Sequence, residues 1–147
     1  MQLTPEQRDA CNEMLNLGRE ALGLEMGIVS HIDNNLYTIE AVDSDGGVFV
    51  PGETFALKDT LCREVIGTGR SVSLSSYNGS PGLRGHPLYE SLQLEAYIAA
   101  PIIVNENIWG TVNFTSLKVR ATDFSESEME YVRECAYSVG GMIVANG

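Results

Sequence analysis

The sequence predicts an α+β domain in which helices cover an antiparallel sheet. Its β-rich runs come in pairs joined by short polar turns, the mark of hairpins and not of crossover connections. The two longest helical repeats stand at the two ends of the chain. The length of 147 residues, with 44% hydrophobic and 20% charged residues, suits a single domain with its own core, spanning residues 1–147.

Thr4-Pro5-Glu6-Gln7 supplies an N-cap, a proline at the first helical position and a Gln that closes a capping box. Cys11, Met14, Leu15, Gly18, Ala21 and Leu22 then recur at helical spacing, which predicts a helix over 5–22. Two strands follow, 26–32 and 36–42, joined by Asp33-Asn34-Asn35. Loops at 43–47 and at Pro51-Gly52 bracket a short apolar run, Val48-Phe49-Val50, read as a third strand. Asp59 or Thr60 caps a short helix over 61–66 that Gly67 and Gly69 stop. A short strand at 71–74 leads into a long loop over 75–85, rich in Ser, Gly, Asn and Pro, and a short helix at 87–92. The strongest strands, 96–104 and 108–116, are joined by Asn105-Glu106-Asn107. Ser125-Glu126-Ser127-Glu128 is a second capping box, and the last helix runs over 126–144, within a C-terminal helical segment of 125–145. There is no internal repeat and no low-complexity tract.

The formal net charge is −11, with Lys58 and Lys118 the only lysines. Phosphate backbones and anionic lipid are bound by clustered Lys and Arg, so neither nucleic acid nor a membrane surface is an expected partner. Nothing approaches the run of about 18 apolar residues that a membrane span needs. Met1 to Glu6 has no basic stretch followed by an apolar run, so no secretory signal is read and a cytoplasmic location is expected. Cys11, Cys62 and Cys135 are far apart and odd in number, which points to reduced thiols rather than to disulfides or a zinc site.

Several stretches, in this order, resemble the GAF family of signalling domains. Pro51-Gly52-Glu53-Thr54-Phe55, Leu57 to Cys62 and Val65-Ile66-Gly67-Thr68-Gly69 look like the segment before the family's middle strand. His86-Pro87-Leu88-Tyr89, Leu94 to Ile98 and Pro101 look like its approach to the central strands. Ile108 to Phe114 and Phe124 to Glu128 look like its closing hairpin and last helix. The resemblance covers residues 23–143, and the chain is similar to bacterial GAF domains found upstream of histidine kinase or cyclic-di-nucleotide cyclase modules. It implies a five- to six-stranded antiparallel sheet with the terminal helices on one face. On the other face it implies a ligand cleft under loops and short helices. It implies a sensory module for a small molecule, with a kinase or cyclase output domain as partner, and it names no ligand.

Strand alternation says which residues would line such a cleft. Val112 and Phe114 share one face of their strand, suited to the helices, while Thr111, Asn113 and Thr115 share the other. In a dry core each unpaired polar group costs roughly 1–3 kcal/mol, so the trio suits a cleft holding water or a small polar molecule. Tyr97 and Ala99 share a face of the neighbouring strand. The 75–92 segment would roof the cleft with Ser76, Tyr77, Arg84, His86 and Tyr89, a set suited to a small anion or an aromatic metabolite. The alternative is that the loop's own aromatics plug the space.

Cys62, early in a short helix, is placed where a helix N-terminus would favour its thiolate. The alternative is a small apolar residue under the sheet. One relative of the fold reduces free methionine sulfoxide with several cysteines around its pocket, but here Cys11 and Cys135 fall in the terminal helices. Phytochrome-type members attach a bilin through a Cys near the pocket. No cysteine lies between Arg63 and Glu134, so no covalent bilin is expected and the cofactor stays unassigned. His31 and His86 are the only histidines and give no metal-ligand spacing. No G-x-S-x-G elbow or phosphate-cradling glycine loop is present, and no catalytic residue is assigned.

Met129, Val132, Ala136, Val139 and Ile143 step by three and four, as in a coiled-coil seam, with Tyr131, Cys135 and Met142 on a second face. The last helix either meets a partner with one of two apolar faces or buries one wide stripe in its own core. A homodimer through the terminal helices is expected, with Gly18, Ala21 and Gly140 allowing close approach. The expected function is therefore a non-enzymatic sensor. A Cys62-dependent reductase and a ligand-free dimerisation spacer stand as alternatives.

Overall fold

Thr4 opens the first helix through the reciprocal bonds of a capping box. Its Oγ1 accepts the Gln7 amide at 3.1 Å, and Gln7 Oε1 accepts the Thr4 amide at 2.8 Å. Helix α1 spans Pro5–Leu22 and ends at Gly23, whose φ of 69° is the left-handed cap that glycine adopts without strain. A computed structural model of the chain describes residues 3–44, 50–56, 72–74, 96–116 and 123–146. The short helices expected at 61–66 and 87–92 and the loop at 75–85 lie outside the described residues.

The strands are β1 (Met26–Asp33), β2 (Leu36–Ser44), β3 (Thr54–Ala56), β4 (Val72–Leu74), β5 (Ala96–Val104) and β6 (Asn107–Ser116), followed by helix α2 (Glu126–Asn146). They form one six-stranded sheet in the order β3-β2-β1-β6-β5-β4, every neighbouring pair antiparallel. Two tight hairpins build it. Asn34 and Asn35 turn β1 into β2 with φ of 51° and 64°, and Asn105 and Glu106 turn β5 into β6 with φ of 51° and 70°. Both residues of each turn are left-handed, the twist that matches two antiparallel strands.

Of the run expected as the third strand, Val48 and Phe49 lie outside the described residues. Val50 lies outside any strand, and the next described strand is Thr54–Ala56. Gly52, at φ 95°, lets the chain turn beside β2, where its amide donates to the Ile39 carbonyl at 2.8 Å and Glu53 O accepts the Ile39 amide at 2.9 Å. The residues after the turn then pair with Leu36–Thr38.

Both helices lie on one face of the sheet, α1 chiefly over β2 and β1 and α2 chiefly over β5. They meet where Gln7 Nε2 donates to the Met142 carbonyl at 3.4 Å. The core beneath them gathers Cys11, Leu15 and Leu22 of α1, Val29, Ile98, Ala100, Ile102, Val112 and Phe114 of the sheet, and Val132, Cys135, Ala136, Val139 and Ile143 of α2. Phe114 is completely buried between two glycines, because a Cβ at Gly18 or Gly27 would collide with its ring. At Gly140 a Cβ would come within 2.7 Å of the Ile103 carbonyl.

These contacts revise the motive for a dimer. The Val132, Ala136, Val139 and Ile143 stripe is spent on the protein's own sheet, with Met129 packed against it. Gly18 and Gly140 allow a helix to approach the sheet, not another helix, and Ala21 is exposed. The outward apolar positions of α2 are instead Tyr137, 84% exposed, and Val144, 50% exposed, beside the open backbone of Gly141.

One irregularity in β2 changes what the sheet presents. Val29 pairs with Ala41 but Ser30 pairs with Ile39, so Glu40 is an extra residue, a β-bulge. An unbroken strand would send residues 37, 39, 41 and 43 to one face. Here Ala41 joins the helix-side core and Asp43 reaches Arg19 of α1, whereas Ile39 and Tyr37 turn to the face away from the helices.

Candidate functional site

The sheet face away from the helices is built by three cross-strand rows. Met26, Thr115 and Tyr97 are register partners, as are Ile28, Asn113 and Ala99, and Ser30, Thr111 and Pro101. Because Val29, Val112, Phe114, Ile98 and Ala100 face the helices, alternation sends these rows the other way. Thr111, Asn113 and Thr115 thus lie on the face expected for them, joined by Tyr97 and Ala99. Ser76, Tyr77, Arg84, His86, Tyr89 and Cys62 lie outside the described residues.

This floor is shut off from solvent. Tyr97 is 2% exposed, Thr111 0%, Asn113 3% and Thr115 2%. Its polar groups are unequally provided for. Thr111 Oγ1 and Ser30 Oγ share a hydrogen bond of 2.8 Å, and Asn113 Nδ2 donates to the Tyr37 hydroxyl at 3.3 Å. Thr115 Oγ1 is buried without a hydrogen-bond partner. An unpaired hydroxyl of this kind costs roughly 1–3 kcal/mol, so it is the floor's spare hydrogen-bonding capacity. Among the described residues on this face none carries a charge.

Sequence reasoning missed Met26, Ile28, Ser30, Tyr37 and Ile39 as floor residues. Ile28 and Ser30 alternate with Val29 in the same way as the trio on β6, a signal that pairing β1 beside β6 would have exposed. Tyr37 and Ile39 depend on the bulge, which no local pattern announces.

The remaining reactive groups lie elsewhere. His31 stacks on Trp109 with ring centroids 4.4 Å apart, and its Nδ1 donates to the Trp109 carbonyl at 2.7 Å, so it belongs to the helix side. Burial pushes the thiols of Cys11 and Cys135 up to about 11, so both are protonated at neutral pH. Both are free thiols in the helix-side core. Among the described residues no group of three His, Cys, Asp or Glu side chains gathers as a metal ion would need. No described helix is long and apolar enough to cross a membrane.

The family model of the GAF domain matches residues 7–143. No curated protein sequence matches the chain. The fold is similar to that of the blue-light-absorbing form of the Thermosynechococcus elongatus PixJ GAF domain, at 17% identity and a TM-score of 0.79, covering 96% of this chain and 86% of that one. It is similar to the GAF domain of an Acinetobacter phosphoenolpyruvate-protein phosphotransferase, at 15% identity and a TM-score of 0.76, covering 95% and 82%. It is also similar to a type II free methionine-R-sulfoxide reductase from Thermoplasma acidophilum, at 15% identity and a TM-score of 0.73, covering 93% and 92%.

Proposed function

Because the chain belongs to the GAF domain family, we propose that it is a small-molecule-binding sensory module that catalyses no reaction of its own. The observation that carries this reading is the floor opposite the helices, an uncharged aromatic and polar surface in which Thr115 holds an unpaired buried hydroxyl. A sheet face built only for stability would be filled with apolar side chains or fully paired polar ones. The helix layer on the other face is then the route by which occupation is passed to a kinase- or cyclase-type output partner in bacterial signal transduction. Proteins of this fold bind or act on different molecules, so the ligand is a property of the site and not of the fold.

The second reading, a reductase acting through Cys62, draws on the Thermoplasma neighbour. Cys11 and Cys135 do not favour it, being buried under the helices with raised thiols. Replacing Cys62 by Ser and assaying thiol-dependent reduction of methionine sulfoxide separates the two readings. A homodimer, on this proposal, uses the outward Tyr137, Gly141 and Val144 stripe of α2 rather than the buried repeat. Native mass spectrometry of protein purified from cells reads both features at once. The expected spectrum shows a dimer carrying a non-covalent adduct of small-molecule mass. A bare protein mass at every charge state would overturn the binding reading, and monomer alone at high micromolar concentration would overturn the dimer.

A further inference from the structure

We propose that β2 works as a turned strap that couples the floor to helix α1. The coupling rests on the binding reading above for its use in signalling, but its physical basis is independent of any ligand.

The bulge at Glu40 reverses the alternation of β2, so that its odd-numbered residues face the floor before it and α1 after it. Before it, Tyr37 and Ile39 lie on the floor. Tyr37 accepts from Asn113 of the central strand at 3.3 Å, and Ile39 is only 1% exposed. Glu40 at the bulge and Asp43 beyond it face α1 and hold it by polar bonds. Glu40, 2% exposed, accepts the Leu3 amide on Oε1 at 3.1 Å, and its main-chain carbonyl accepts Arg8 Nε at 2.8 Å. Asp43 Oδ2 accepts Arg19 Nη1 at 2.8 Å and Asn16 Nδ2 at 3.2 Å. One strand therefore grips both ends of α1.

These ties transmit displacement better than the packing of the other helix does. Hydrogen bonds to a buried carboxylate are directional, and a buried charge left without its partners is costly. α2 instead rests on the sheet through Val132, Ala136, Val139 and Ile143, whose apolar contacts are non-directional. A bulge is also where a ladder yields most readily, because its extra residue is outside the regular pairing. A shift of Tyr37 or Ile39 on the floor is thus passed through Glu40 to the start of α1, and α2 is bypassed.

Amide hydrogen exchange by NMR tests this without a ligand. Ile39→Val trims the floor without changing a polar group. The expected result is faster exchange at Leu3, Gln7 and Arg8, by at least about threefold relative to Val139 in α2, which corrects for global stability. In the Arg8→Met, Arg19→Met, Glu40→Met background, which cuts both arginine ties and the Leu3 tie and leaves only Asn16 on Asp43, that ratio falls to about one, the non-additivity expected of coupled sites. Arg8→Met alone serves if the triple variant does not fold. Equal acceleration in α1 and α2, or a ratio that survives the cut ties, would overturn the proposal. Since no ligand enters, such a result leaves the binding reading to its own test by mass spectrometry, and an unliganded protein there leaves the coupling intact.

Discussion

At Thr115 a single hydroxyl separates two designs for the same floor. Its neighbours Thr111 and Asn113 spend their hydrogen bonds on Ser30 and Tyr37, so they brace the sheet. Thr115 Oγ1 has no such partner and is 2% exposed. Thr115→Val keeps the shape and removes the unpaired group, so the unliganded protein gains roughly 1 kcal/mol, read from the urea midpoint. An equal or lower midpoint would mean that the hydroxyl is already satisfied. That β6 alternates apolar and polar side chains was legible in its sequence. Which polar residues pair with each other was not, since it depends on cross-strand register and not on local spacing.

At the scale of elements, the hairpin turns differ in how well their residues suit them. Asn34 and Asn35 tolerate the left-handed region, but Glu106 holds a φ of 70° with a side chain that prefers other backbone shapes. Glu106→Gly, giving Asn-Gly at the turn, is expected to raise stability by roughly 0.5–1 kcal/mol in chemical denaturation. An unchanged midpoint would show the turn to be unstrained. The capping boxes at Thr4 and Ser125, the helix bounds and the strands of both hairpins were readable because each rests on residues within a few positions of one another. The bulge at Glu40 and strand β3 were not. Both are set by what lies beside β2 in space: the extra residue by pairing with β1, the short strand by the Gly52 turn.

Over the whole molecule, two layers divide the labour, with helices and apolar core on one side of the sheet and the polar, uncharged floor on the other. The seam between the layers holds Cys11 and Cys135. An exposed thiol in the unfolded chain ionises near 9.0, whereas burial keeps these protonated up to about 11. Unfolding therefore releases protons in that interval. Stability from this source is full below pH 9 and falls as the pH rises towards about 11. Urea midpoints measured across that range should drop in the native protein and drop less in Cys11→Ala, Cys135→Ala protein. Matching slopes would refute the assignment. The layer division itself was legible from the terminal helices and paired strands. The cleft's candidates Ser76, Tyr77, Arg84, His86, Tyr89 and Cys62 rested on loop composition and resemblance, which carry no register with which to place a side chain.

Among the described residues the outermost strands, Thr54–Ala56 and Val72–Leu74, cover three residues each, while the four strands between them run to eight or more. The rims of a sheet are where unpaired amides and carbonyls can recruit a strand from another chain. The long, buried strands β1 and β6 would make efficient seeds for such growth, and they occupy the middle, with both edges already taken. Short rims offer an incoming strand few bonds. Among the described residues the longest strands are thus kept away from the rims, which limits the pairing that an incoming strand could make.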